Sequence, residues 1–172
     1  MRTRLVLTVF VLGLVAIGVA VAGANRNWST HANGSMEVPT RDTNAQGQAV
    51  FHLSKSGTAL EYKLIASNIE NVTQAHIHMA PPGVNGGVVA WLYPSGPPAV
   101  PGGAGRTDGV LAEGTITSAS LVGALAGQPL SALIDAMENG QAYVNIHTDD
   151  GADPPNTGPG DFPGGEIRGD IR

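Results

Sequence analysis

Most of this chain is written in short segments whose apolar and polar residues alternate, each closed off by glycine or proline, and no other feature restricts its folding as much. In "GQAVFHLS", Ala49, Phe51 and Leu53 alternate with Gln48, Val50 and His52. "TALEYKLIAS" sets Leu60, Tyr62 and Leu64 against Glu61, Lys63 and Ile65, and "TQAHIHM" sets Ala75, Ile77 and Met79 against Gln74, His76 and His78. "GGVVAWLY", "GVLAEGTIT", "QAYVNIHT" and "GEIRGDIR" follow. A period of two sends successive side chains to opposite faces of a strand, and this alternation marks antiparallel sheets with one buried face. With 24 glycines and 12 prolines among 172 residues, the strands must be short and the turns frequent. The expected fold is all-β: an antiparallel β-sandwich of about seven or eight short strands, with a β-barrel as the alternative closure.

One segment departs from the pattern. Leu130, Leu133, Ile134 and Met137 recur at the spacing of one helical face, with Pro129 suited to the first turn and Gly140 to the exit. This predicts a single short helix near 129–138. Proline density predicts long loop insertions at 94–108 and 149–164. At the N-terminus Arg2 and Arg4 precede an apolar or small run over residues 5–22. That is the pattern of a signal peptide, with Ala20 and Ala22 at the cleavage positions, although the run is also long enough for a retained anchor. The remainder, residues 23–172, is the length of one domain.

Charge and cysteine content exclude several functions. Loss of residues 1–22 removes two of nine basic residues against fourteen acidic ones, leaving the domain near −7. Lys55 and Lys63 are its only lysines, and it has no basic cluster, so nucleic acid and anionic membrane surfaces are repelled. No membrane insertion is expected after signal cleavage. The expected location is secreted, periplasmic or cell-surface, yet there is no cysteine for a disulfide, so stability falls to the core, the backbone ladder or a bound ion.

The candidate ion ligands are histidines. His76 and His78 share one strand face with Cβ atoms roughly 7 Å apart, close enough for both rings to lean onto one metal at the usual nitrogen distance of about 2.0–2.1 Å. His147 has the same parity in "AYVNIHT" and becomes a third ligand if its strand neighbours the first. Glu166 in "GGEIRGD" is a candidate oxygen ligand, or an acceptor that orients a ring. Nitrogen and carboxylate donors without thiolate point to zinc or copper, with occupancy weakening below about pH 6 as the rings protonate. The plainer reading of each histidine is a solvated residue on a polar face, and it is preferred for His31 and His52. Asp149, Asp150, Asp153 and Asp161 could attract calcium, but they lack EF-hand spacing, and a solvated acidic loop is the plainer account. Glu166, Arg168 and Asp170 share a face and read most simply as a surface charge ladder. No serine or cysteine nucleophile, paired carboxylates or phosphate loop can be nominated.

Taken in order, "GSMEVPTRDTNAQGQAVFHL", "LEYKLIASNIENVTQAHIHMAPPGVNGGVVAWL", "GVLAEGTITSASLVG", "GQAYVNIHT" and "GGEIRGDIR" resemble the chordin-type or CHRD domain, over about residues 34–172. That module occurs in the extracellular antagonist chordin and as a single exported domain in bacterial proteins. The resemblance implies a binding module, since in chordin the setting is binding of secreted growth factors. A weaker likeness, resting on "HIH" alone, is to copper–zinc superoxide dismutase, whose cysteine pair is missing here. The functional expectation is an exported, non-catalytic β module binding an unknown protein or small polar ligand, with a histidine-based metal or polar-ligand site. The alternatives are a copper/zinc metalloenzyme of superoxide-dismutase type and a purely structural cell-surface domain.

Overall fold

The computed structural model describes residues 26–172, so the expected signal segment at 1–22 lies outside the described residues. The elements run β1 (Asn27–Asn33), β2 (Gln46–Leu53), β3 (Leu60–Glu70), β4 (Val72–Met79), β5 (Gly87–Tyr93), β6 (Arg106–Ile116), α1 (Leu130–Glu138), β7 (Ala142–Thr148) and β8 (Ile167–Asp170). Every strand pair is antiparallel, and all eight strands form one sheet in the order β5-β4-β7-β8-β1-β2-β3-β6. The antiparallel all-β architecture with one helix is the expected one. Its two layers are halves of a single sheet, curled until the edge strands β5 and β6 approach each other.

The interior is built from the apolar parity of each strand. Ala49, Phe51 and Leu53 of β2, Leu60, Tyr62 and Leu64 of β3, Ala75 and Ile77 of β4, and Val144 and Ile146 of β7 are all buried in one core. Leu130, Leu133, Ile134 and Met137 of α1 join them. Burying side chains of this size contributes about 1.5–3 kcal/mol each, which is what holds short strands in a curled sheet. Pro129 caps the helix from outside, with an extended ψ of 153°, rather than occupying its first turn. Gly140 leaves it at φ +64°, as the exit required.

The seam between the sheet edges is closed by the chain that follows β6. Leu121 bridges Ala90 of β5, the Val122 amide donates to the Val89 carbonyl at 2.9 Å, and the Tyr62 hydroxyl donates to the Leu92 carbonyl at 2.7 Å. Edge strands left open invite pairing with other chains, and this closure removes much of that exposure. Tyr62→Phe should therefore cost about 1 kcal/mol in urea unfolding and speed amide exchange in β5. Exchange unchanged in β5 would show that the seam does not depend on this bond.

Two elements depart from the alternation pattern. β1 carries little of it, because its inward residues Trp28, Thr30 and Ala32 give little apolar contrast with their neighbours. The loop predicted over 94–108 ends at residue 105, because β6 begins at Arg106 and pairs it with Glu70. Strand β8 is decisive for the sheet although it is the last and shortest. It sits between β7 and β1 and joins the β5-β4-β7 group to the β1-β2-β3-β6 group. Gly169 permits that approach, since a Cβ there would stand 2.2 Å from Thr30 Oγ1.

Candidate metal centre

The histidines lie on the outer face of the wall, opposite the apolar interior. Both irregularities of the β4–β5 ladder fall next to them, between Ala75 and His76 and between Ile77 and His78. Bulges of this kind re-aim side chains. Across the other ladder His76 pairs with Asn145, and Gln74 pairs with His147, so His147 stands diagonal to His76. His76 Nδ1 is 3.3 Å from His147 Nε2, and ring centroids are 5.1 Å apart for that pair, 5.5 Å for His76–His78 and 6.1 Å for His78–His147. Each ring offers one nitrogen, and the three nitrogens lie within 4.8 Å of one another.

This face is not wet. His76, His78 and His147 are 3%, 8% and 8% exposed, and the 81–86 loop and the segment at Pro163 meet their rings. His78 Nδ1 is 3.0 Å from the Gly86 carbonyl and His147 Nδ1 is 2.7 Å from the Pro163 carbonyl. A carbonyl only accepts, so both rings carry their proton on Nδ1 and turn the Nε2 lone pair inward. That is how histidines are oriented and fixed in tautomer for metal binding. Among the described residues the buried Nε2 atoms of His76 and His78 have no hydrogen-bond partner, an arrangement that costs stability unless something occupies the centre.

The electrostatics point the same way. Burial, then the neighbouring rings of His147 and His78, push His76 down to about 3. Burial also lowers His147 to about 4, against the pull of the Pro163 carbonyl, with His78 lowering it further. His78 is lowered too, first by burial and then by Arg168, while the Gly86 carbonyl works against this. All three rings are therefore neutral at pH 7, the protonation state that a metal requires.

The roof is tied by residues whose role the sequence hid. Arg168, expected on a surface ladder, is 1% exposed. It donates to the carbonyls of Val84 at 2.9 Å and Pro81 at 3.4 Å, and its guanidinium carbon lies 3.5 Å over the Tyr143 ring. Tyr143 stacks on His78 at 4.9 Å and accepts the Gly86 amide. The Asn145 amide donates to Glu37, a carboxyl that burial pushes up to about 7 despite the Val38 amide and the charges of Arg168 and Arg41. Trp91 packs edge-on against His76 at 4.3 Å.

Glu166 stands apart from the three rings. Its carboxylate accepts from Thr43 Oγ1 at 2.6 Å, Thr148 Oγ1 at 2.7 Å and the Gly160 amide at 2.8 Å, so it ties three segments together. His31 and His52 are exposed, and the His52 ring hydrogen-bonds to Asn27, in keeping with the solvated reading. Of the acidic loop residues, Asp149, Asp150 and Asp161 come together, while Asp153 is exposed and outside the group.

The family model described as the CHRD domain matches residues 28–155. The chain belongs to the CHRD-domain family. The matched span of this CHRD domain runs from β1 through β7 and takes in Glu37, His76, His78, Asn145 and His147. Glu166, Arg168 and β8 lie beyond it. No curated protein and no solved structure matches the chain. No helix among the described residues of the CHRD domain is long and apolar enough to cross a membrane.

Proposed function

We propose that this CHRD domain is an exported, non-catalytic binding module that holds one zinc or copper ion on His76, His78 and His147. The observation that carries the reading is the inward convergence of three buried, neutral imidazoles, two of them fixed in tautomer by backbone carbonyls. Solvated histidines on a polar strand face have no reason to share both features. Three imidazoles leave one coordination position, wide enough for a water or a single small polar ligand. The roof argues against turnover, since residues 3–8% exposed give substrate little access to the ion. Export rests on the N-terminal pattern of Arg2, Arg4 and the apolar run over 5–22.

The test is titration of metal-free protein with zinc and with copper(II). One equivalent is expected to bind, and copper(II) should quench Trp91, whose ring is 4.3 Å from His76, whereas zinc should not. His76→Ala should weaken binding at least as far as loss of an orienting partner does, on the order of 10–100-fold. Binding unchanged in that variant would rule out the site. Superoxide consumption by the copper-loaded protein would overturn the non-catalytic assignment in favour of a dismutase-like enzyme.

A further inference from the structure

We infer that the loop between β7 and β8 contains a second cation site, for calcium, built on Asp149, Asp150 and Asp161. One carboxylate oxygen from each lies within 4.8 Å of the others. Acidic loops gather loosely on many surfaces, but this one is assembled by the sheet. Thr148, the last residue of β7, accepts the Phe162 amide on its hydroxyl at 3.0 Å, and its own amide donates to the Phe162 carbonyl at 3.3 Å. Those bonds hold Asp161 beside the end of β7. The Asp149 amide donates to the Asn71 carbonyl and its carbonyl accepts from Gly103, which fixes the other side.

The decisive atom is Asp161 Oδ1. Asp161 is 2% exposed, and its Oδ2 takes both the amide and the hydroxyl of Thr157 at 2.8 Å. Oδ1 is buried with no donor among the described residues. A carboxylate oxygen withdrawn from water without a donor is costly, and two further carboxylates beside it make it more so. No ion pair among the described residues involves any of the three aspartates, and no lysine or arginine occurs between 149 and 167. The nearest cation of this chain, Arg41, is taken up by the Phe162 ring and the Gly165 carbonyl, so a bound cation would supply the charge that the three aspartates lack. Oxygen-only donors select a hard cation, and an irregular loop of carboxylates and carbonyls suits the flexible coordination of calcium better than the strict octahedron of magnesium.

Calcium added to metal-free protein should therefore raise the melting temperature saturably, with a Kd at or below roughly 1 mM, the range of extracellular calcium modules. Magnesium should do much less. Asp161→Asn preserves shape and removes charge, so it should weaken calcium binding at least 10-fold and leave the calcium-free protein as stable as the parent or more so. Asp150→Asn, at an exposed position, should weaken binding without affecting the fold. His76→Ala should retain the full calcium response, which separates this site from the histidine centre. No calcium-dependent shift up to roughly 10 mM, well above that affinity range, would overturn the inference. So would a response unchanged in both aspartate variants.

Discussion

In the metal-free protein, lowering the pH from 6.5 towards 4 is expected to remove several kcal/mol of stability. The sign follows from the three buried rings. His76 at about 3 and His147 at about 4 both lie below the ordinary 6.5, so the unfolded chain protonates first. Their contribution is complete above pH 6.5 and is lost as the pH falls through the window down to their folded values. Glu37 opposes them. Its carboxyl is raised to about 7 from 4.5, so the cost of keeping it ionised in the fold is relieved between pH 7 and 4.5.

Each group contributes about 1.4 kcal/mol per pH unit inside its window. From pH 6.5 to 4.5, His76 and His147 outweigh Glu37 by one proton, a net loss on the order of 1 kcal/mol per unit. His78, lowered in the same direction, adds to it. Below 4.5 Glu37 no longer offsets the histidines and the slope steepens. The rings face one another, Trp91, Asn145, Tyr143 and Arg168, and among the described residues no carboxylate hydrogen-bonds to any of them to reverse the sign. Urea titrations at pH 7, 6, 5 and 4 measure the slope, and His147→Gln should flatten it. A midpoint that holds constant from pH 6.5 to 4.5 would contradict the burial argument. One equivalent of zinc should carry stability to lower pH, because protons then compete with metal for the same nitrogens.

The same residues show how much the sequence discloses. Alternation places His76 and His78 on one face, and equal parity in "YVNIHT" makes His147 a candidate third ligand. Both follow from strand geometry, and the adjacency of β4 and β7 completes the triad. Whether that face is covered has no local signature. The roof is made of carbonyls at Pro81, Val84 and Gly86 in one loop and at Pro163 far from it in the chain, and a carbonyl leaves no mark on composition. Arg168 misleads for a related reason: charge at period two between Glu166 and Asp170 looks like a wet ladder. Its glycine neighbours are the available clue. Gly165, at φ +123°, leaves room where a Cβ would meet Asn145 Nδ2 at 2.3 Å, and Gly169 does the same for Thr30. Glycines flanking a charged strand report crowding there, and crowding means burial.

Arg168→Ala is expected to cost about 3–5 kcal/mol, the range for breaking a buried charged contact. The side chain is 1% exposed and fills the space between the wall and the 81–86 loop. Its loss leaves the Val84 and Pro81 carbonyls without their donor, removes the cation from the Tyr143 ring and leaves Asp170, 3.5 Å from Nη2, without its counter-ion. Stability is only half of the consequence. The Gly86 carbonyl that orients His78 belongs to the same loop, so loosening it should free the His78 ring and admit water to the histidine cluster. Loss of an orienting partner typically costs 10–100-fold in metal affinity. Arg168→Met, which keeps most of the volume without the charge, should recover part of the stability while metal binding stays weak. Stability and affinity falling and recovering together in the two variants would mean that Arg168 serves packing alone. Affinity that stays low while stability returns would identify it as the residue that holds the roof over the histidines.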